Sequence, residues 1–365
     1  MKQTLLAGQN SFTRIKEILL EKGIQSICII TGNHFQKDKS NTEIRELLGA
    51  FKQIVFVKNG VDVSSDEIDA VYSMYRDEMV DAILAIGGGS VMDLAKGLIY
   101  RDDQNGIPDK PFFIAVPTTA GSGSEATCIA VVYENKKKQS LENNKLLPDI
   151  AILDPHFSYS LPPRQTAISG IDAFSQAIES FWSIHATIQS KSLAREAIVT
   201  LLKYLPLAVH APTLEVRERV LSAAHLSGQA INMTRTTGPH AFSYFLSARH
   251  KIPHGQAVAI FLPVFFLYNA SVNDSNCNHP NGTAGVIQSG EVLYSILQVR
   301  SAEEAKEFVR KFIQELGLAV DFKGLALDKA SLLDPLMNEV NQQRFKNNPV
   351  LFNREVLIDL FQQYL

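Results

Sequence analysis

Asp172 and Gln176 lie four residues apart in the run GIDAFSQAIE (170 to 179), so on a helix they share one face among apolar neighbours. A carboxylate aimed into such a core needs a partner, and His240 (in TTGPHAFSY) and His254 (in IPHG) are the candidates. Together, carboxylate and imidazole make a ligand set for a divalent metal. On one straight helix the fourteen residues between the histidines would hold them about 21 Å apart. If they share an ion, the chain must fold back at Pro253. Singly, each residue has a plainer use, the aspartate as a helix cap and the histidines as core or surface residues; only the combination points to a metal.

Two further stretches suit phosphate and ribose. Gly87-Gly88-Gly89-Ser90 follows an apolar run and precedes a helical segment, Val91 to Tyr100. Glycines let a backbone approach a ligand, and a helix start offers free N–H groups for a pyrophosphate. Met92 stands where the ordinary dinucleotide fingerprint has its third glycine, and the same residues also suit a tight strand-to-helix turn. The second stretch, PTTAGSGSE (117 to 125), places four hydroxyls within seven residues straight after another apolar run. That suits either hydrogen bonding to a nucleotide at a sheet's carboxyl edge or a capping turn.

Elements that could position these groups are legible in the apolar pattern. Short runs rich in Ile and Val, at 26–31, 53–57, 82–86, 112–116 and 150–153, alternate with amphipathic stretches such as 65–78, which predicts βαβ units and a parallel sheet. After Leu161-Pro162-Pro163 the strand-like runs nearly vanish, and helices punctuated by Pro206, Pro212, Pro239, Pro253 and Pro263 follow. The first half is therefore expected to be α/β and the second half mostly α. The polar run at 273–285 (NDSNCNHPNGTAG) reads as a surface loop.

Composition narrows the function. A net charge of −3 without long single-sign blocks argues against a nucleic-acid partner. The longest apolar stretch, Ala257 to Tyr268, is interrupted by Pro263 and far short of the ~20 residues that span a bilayer, so no membrane partner is expected. No signal-peptide pattern opens the chain, and three scattered cysteines (Cys28, Cys128, Cys277) form no thiolate metal motif, which fits a reducing, cytoplasmic setting.

Four segments together resemble the iron-containing (group III) alcohol dehydrogenase family: GGGSVMDLAKG (87–97), PTTAGSGSEAT (117–127), LPPRQTAISGIDAFSQAIESFWS (161–183) and PHAFSYFLSARHKIPHGQAVAIFLP (239–263), in the family's order. The resemblance implies an α/β N-terminal Rossmann-like domain with a parallel sheet over 1–160 that binds NAD(P), an all-α C-terminal domain over 161–365 that binds metal and substrate, an architecture of the dehydroquinate synthase-like kind, and a divalent metal, Fe2+ or Zn2+. It implies that Gly88, Gly89 and Ser90 cradle the pyrophosphate, that Thr118, Thr119 and Ser122 touch the cofactor, and that Asp93, Gly32 and Lys145 belong to the cofactor set. Asp172, His240 and His254 would hold the metal, and a homodimer is expected.

Three positions depart from the family's pattern. Gln176 stands where a fourth ligand, a histidine, is usual; an amide oxygen is a poorer ligand for Fe(II), which leaves an Asp/His/His site suited to zinc, with Gln176 kept as a candidate in the shell. Tyr244 replaces a histidine four residues after His240, so the phenol, a water or the cofactor ribose would carry the proton. Gly32 replaces the aspartate common in NAD-preferring members; with Lys37 and Lys39 close behind, this permits NADPH, the favoured cofactor.

The reaction these features imply is reduction of a small aldehyde, hydride passing from nicotinamide C4 to a carbonyl carbon with the metal as Lewis acid. Alternatives are a sugar-phosphate cyclase resembling 3-dehydroquinate synthase, and an inactive binding protein whose metal site Gln176 has spoiled. Residues 175–183 and 234–244 look most like the phosphonate-metabolism branch of the family, whose members reduce phosphonoacetaldehyde to 2-hydroxyethylphosphonate. There Arg235 would grip a phosphonate through paired hydrogen bonds and Thr236 and Thr237 would add neutral donors; otherwise the pocket takes an ordinary short aldehyde or lactaldehyde.

Overall fold

A computed structural model describes residues 3–33, 40–60, 62–134 and 137–365. Lys37 and Lys39, counted above towards NADPH, lie outside the described residues. The strands of the first half are β1 (Thr4–Ala7), β2 (Ser26–Gly32), β3 (Lys52–Lys58), β4 (Ala82–Gly87), β5 (Phe112–Pro117), β6 (Ile129–Glu134), β7 (Lys137–Glu142) and β8 (Ile150–Leu153). Six of them form a parallel sheet in the order β1-β8-β5-β4-β2-β3, as the Ile- and Val-rich runs led one to expect.

Side-chain alternation explains why those runs are apolar throughout. Cys28, Ile30, Ile83, Ala85, Phe113 and Ala115 face one layer, packing with Val91, Leu94, Ala95 and Leu98 of the Gly89–Gln104 helix. Ile27, Ile29, Leu84, Ile86, Ile114 and Val116 face the other, against Phe12, Ile15, Leu19, Ile44 and Leu48. A sheet covered on both faces has no polar side to show. β1 and the antiparallel β6–β7 hairpin were not visible in the sequence pattern, because β1 is a four-residue strand with one buried residue and β7 (KKQSLE) is polar.

The topology also places the glycine loops. From β2 the chain first adds β3 on one side and then returns to add β4 on the other, which makes the carboxyl ends of β2 and β4 a switch point, the usual seat of a nucleotide in such sheets. Gly32 ends β2, Gly87 ends β4 and Pro117 ends β5.

No strand follows Leu153 among the described residues; the rest is helices, among them Pro163–Trp182, Ile188–His210, Leu214–Thr234, Gly238–His250, His254–Ala270, Gly282–Leu297 and Ala302–Glu315. Pro206 and Pro263 do not punctuate as expected, for each sits inside a helix. A proline removes one backbone donor and strains one turn. At Pro263 the surrounding helix is buried from Gly255 to Phe266, and that burial outweighs the loss. No described helix is long and apolar enough to cross a membrane.

The chain divides into two compact units, Met1–Leu161 with Thr213–His225, and Pro162–Pro212 with Leu226–Leu365. In the first unit Arg217 donates to the Leu161 carbonyl at 2.9 Å and His225 Nδ1 lies 3.3 Å from Glu125 Oε1, which accounts for the return of residues 213–225 to it.

Candidate functional site

In the first unit the two loops read from sequence are neighbours. β4 and β5 pair through Gly87 and Pro117, and Thr118 N–H donates to the Gly87 carbonyl at 3.0 Å. The loops approach closely: a Cβ on Gly88 would come within 3.3 Å of Thr119 Oγ1, and one on Gly89 within 3.0 Å of Ser122 Oγ. At Gly87 a Cβ would meet Val91 Cγ2 at 2.4 Å, so this residue supplies the close strand-to-helix packing that a third fingerprint glycine supplies elsewhere. Ser90 opens the helix, half-buried beside Gly89.

Lys96, on the helix that follows the first loop, is fully buried and bound to the second loop. Its Nζ donates to the Ser124 carbonyl (2.6 Å), Ser124 Oγ (2.9 Å), Thr127 Oγ1 (3.1 Å) and the Ile129 carbonyl (2.7 Å). Burial pushes it down to about 8, against the pull of Asp93 and Glu125. Asp93 accepts from Ser124 Oγ at 3.2 Å, so this member of the expected cofactor set spends a carboxylate oxygen on the loop. Lys145 is not brought to these loops. It pairs with Asp103 at 2.7 Å, and Asp103 lies fourteen residues after Gly89, at the far end of the same helix and about 21 Å along it.

In the second unit Asp172, His240 and His254 come together, with one ligand atom from each lying within 4.8 Å of the others. Asp172 rides on the Pro163–Trp182 helix, while His240 and His254 stand in the first turns of two successive helices. The required chain reversal occurs between these helices, where Lys251 takes a left-handed backbone (φ 58°) and Pro253 caps the next helix. His240 Nε2 lies 3.2 Å and His254 Nε2 4.0 Å from Asp172 Oδ1, and the imidazole centroids are 5.3 Å apart. A second close approach makes this possible: a Cβ on Gly255 would fall 2.0 Å from the Ile168 carbonyl oxygen and 3.2 Å from Asp172 Cβ. Only a glycine lets the helix bearing His254 lie so tightly on the one bearing Asp172.

A divalent ion fits this donor set. A carboxylate and two imidazoles are ligands common to zinc and Fe(II) sites, and tetrahedral donors around zinc sit about 3.4 Å apart, close to the separations found. His240 Nε2 is buried and makes no hydrogen bond, the condition of an atom kept for a ligand. Burial alone would lower the His240 pKa, but Glu179 and Asp172 beside it hold it up at about 10 in the metal-free protein, so a bound divalent ion would take the place of a proton on Nε2.

Glu179 is the functional residue that sequence reading missed. It lies two helical turns after Asp172 on the same face, is fully buried, and its Oε2 engages His240 Nδ1. Its Oε1 accepts from Thr237 N (2.9 Å), Thr237 Oγ1 (3.0 Å) and His240 N (3.3 Å). The spacing from Asp172 was the available signal.

Other expected members fare differently. Gln176 points its amide nitrogen at Asp172 Oδ2 (3.3 Å), with its oxygen 3.5 Å from Ser227 Oγ, so it is not presented as a fourth ligand. The Tyr244 ring lies 6.0 Å from that of His254, half-buried. Thr237 is fully buried, accepts from Trp182 Nε1 at 2.9 Å and gives its one hydroxyl proton to Glu179, leaving none for a substrate. Arg235, at φ 62°, turns one guanidinium nitrogen, Nη1, onto the carbonyls of Asn232 and Ile231 at the end of the Leu214–Thr234 helix.

Residues 3–155 match the model of the "Iron-containing alcohol dehydrogenase" family and residues 166–365 that of the "Fe-containing alcohol dehydrogenase family, C-terminal". The chain belongs to the iron-containing alcohol dehydrogenase family. Among relatives, "Phosphonoacetaldehyde reductase" of Streptomyces viridochromogenes is 30% identical, with 93% of this chain and 94% of that one covered. "Probable alcohol dehydrogenase EutG" of Salmonella typhimurium is 37% identical over 56% of each chain, so little more than half of that protein is matched. Sulfoacetaldehyde reductase of Bifidobacterium kashiwanohense, solved in complex with NAD+, superposes with a TM-score of 0.86 at 28% identity, covering 99% of this chain and 96% of its own. The iron-containing alcohol dehydrogenases are oxidoreductases, and both family models fall on the residues that carried the resemblance.

Proposed function

We propose that this chain is a metal-dependent, NAD(P)H-linked reductase of small aldehydes, its metal held by Asp172, His240 and His254. The observation that carries the reading is the convergence of those three ligand atoms from three helices to within 4.8 Å, in a member of this family. A divalent metal held there would supply Lewis-acid polarisation of a carbonyl oxygen. Asp172 contributes negative charge and the imidazoles neutral donors, which leaves coordination open for water or substrate. Overall, aldehyde, NAD(P)H and one proton give a primary alcohol and NAD(P)+. The Tyr244 phenol, whose ring lies 6.0 Å from that of His254, is the candidate to deliver that proton at the substrate oxygen.

For the cofactor, Gly88, Gly89 and Ser90 with Thr118, Thr119 and Ser122 form the pyrophosphate and ribose edge. NADPH is the expected preference, because Gly32 offers no carboxylate to repel a 2′-phosphate at the end of β2.

For the substrate, a two-carbon aldehyde with an anionic head group is favoured, phosphonoacetaldehyde first. Support comes from two relatives, named for phosphonoacetaldehyde and for sulfoacetaldehyde, which share that chemistry. Side-by-side kcat/KM values for phosphonoacetaldehyde, propionaldehyde and lactaldehyde test the choice. A preference of at least about tenfold for the phosphonate, the effect of one charged hydrogen bond, is expected. Equal values would reject the anionic substrate and leave the reductase reading standing, whereas no turnover of any aldehyde by metal-loaded protein would reject both.

A further inference from the structure

We propose that Glu179 is a positioning residue for the metal: it fixes the tautomer of His240 so that Nε2 is presented as a lone pair, an inference that rests on the metal site proposed above. An ionised carboxylate has only acceptors, so the Nδ1 that engages Glu179 Oε2 must carry the ring's proton. In a neutral imidazole the other nitrogen is then the free acceptor, and here that nitrogen is the one 3.2 Å from Asp172 Oδ1.

Glu179 is wholly buried, and three donors converge on its Oε1. Two of its three Oε1 donors are the N–H groups of Thr237 and His240, at the start of the Gly238–His250 helix, where the helix dipole favours negative charge. The third is the Thr237 hydroxyl. That hydroxyl is itself oriented, since Trp182 Nε1–H occupies its lone-pair side and leaves its proton directed at Glu179. The carboxylate thus holds both the backbone and the ring of the same histidine, which sets the ring's rotation as well as its proton.

Glu179→Gln separates this role from simple packing. The amide is isosteric, and three donors converge on the Oε1 position, so the amide oxygen must occupy it. The NH2 group then falls at the Oε2 position and donates to His240 Nδ1, which drives the ring proton to Nε2, the atom that faces the metal. A purely structural Glu179, needed only to cap the helix, would be replaced well by glutamine.

The test is zinc affinity by competition with a chromophoric chelator, alongside thermal unfolding of the metal-free proteins. Zinc Kd is expected to rise about 10- to 100-fold in Glu179→Gln, with the metal-free melting temperature close to that of wild type. Equal zinc affinity in the two proteins would overturn the proposal. Should the variant not fold, nitrogen-15 NMR of the histidines in the zinc-loaded wild type decides: His240 protonated at Nδ1 and metal-bound at Nε2 supports it, and binding through Nδ1 overturns it. Wild type that takes up no zinc would reject the metal site itself, a failure distinct from any difference between wild type and variant.

Discussion

Gly255 lies against Ile168 so closely that a Cβ on the glycine would come within 2.0 Å of the Ile168 carbonyl oxygen, backbone against backbone. No side-chain rotation relieves that contact, so Gly255→Ala must push apart the helices that carry His254 and Asp172. Overpacking of this kind costs about 1–3 kcal/mol, and the same displacement widens the ligand set. A melting temperature lowered by several degrees together with at least tenfold weaker metal binding is expected; unchanged metal affinity in the folded variant would show that the close approach does not set the site.

Gln176 offers Asp172 an N–H bond where a fourth ligand would stand one turn along. Gln176→His should exchange that bond for an imidazole ligand and slow metal loss during dialysis against a chelator by at least tenfold. A variant that loses metal faster than wild type would remove position 176 from the shell.

At the end of β2, a Cβ on Gly32 would meet Val91 Cγ2 at an ordinary 3.9 Å, so a side chain is accommodated without strain. Gly32→Asp should therefore move the ratio of kcat/KM for NADPH over NADH towards NADH. An unchanged ratio means that the ribose is read at another position.

Lys96 ties the Gly89–Gln104 helix to the loop at Ser124 and Thr127. In Lys96→Met four acceptors lose their donor, and the expected result is a cofactor KM raised about tenfold or more with metal content unchanged. Its pKa is about 8 in the folded chain against 10.5 for the free side chain, so the unfolded state holds the extra proton between these values and stability from this group rises with pH across that window. Wild type should gain stability relative to Lys96→Met from pH 8 to 10 in urea titrations; a gap that narrows with pH would contradict the sign.

Much of this was legible from residues alone, for reasons that can be named. The central strands announced themselves because both faces of β2, β4 and β5 are buried, so every residue had to be apolar. Asp172, His240 and His254 were readable because carboxylate and imidazole are rare in apolar surroundings and Pro253 forced a reversal. Glu179 escaped because its value depends on a partner sixty-one residues away, and a glutamate on a helix reads as an exposed one. Lys145, Arg235 and Thr237 show the complementary difficulty: charge and hydroxyl type suggest ligand contacts, while an ion pair, two helix-end carbonyls and a buried carboxylate, none visible in the sequence, engage them in the fold.

The central claim is that aldehyde reduction depends on one metal held by Asp172, His240 and His254. Its most direct measurement is phosphonoacetaldehyde-dependent NADPH oxidation as a function of metal bound per chain, in wild type and Asp172→Ala reconstituted in parallel with zinc or iron. The expected result is a rate that rises linearly with occupancy to one metal per chain in wild type, with neither metal nor turnover in the variant. Turnover by metal-free wild type, or metal retained equally by Asp172→Ala, would contradict it.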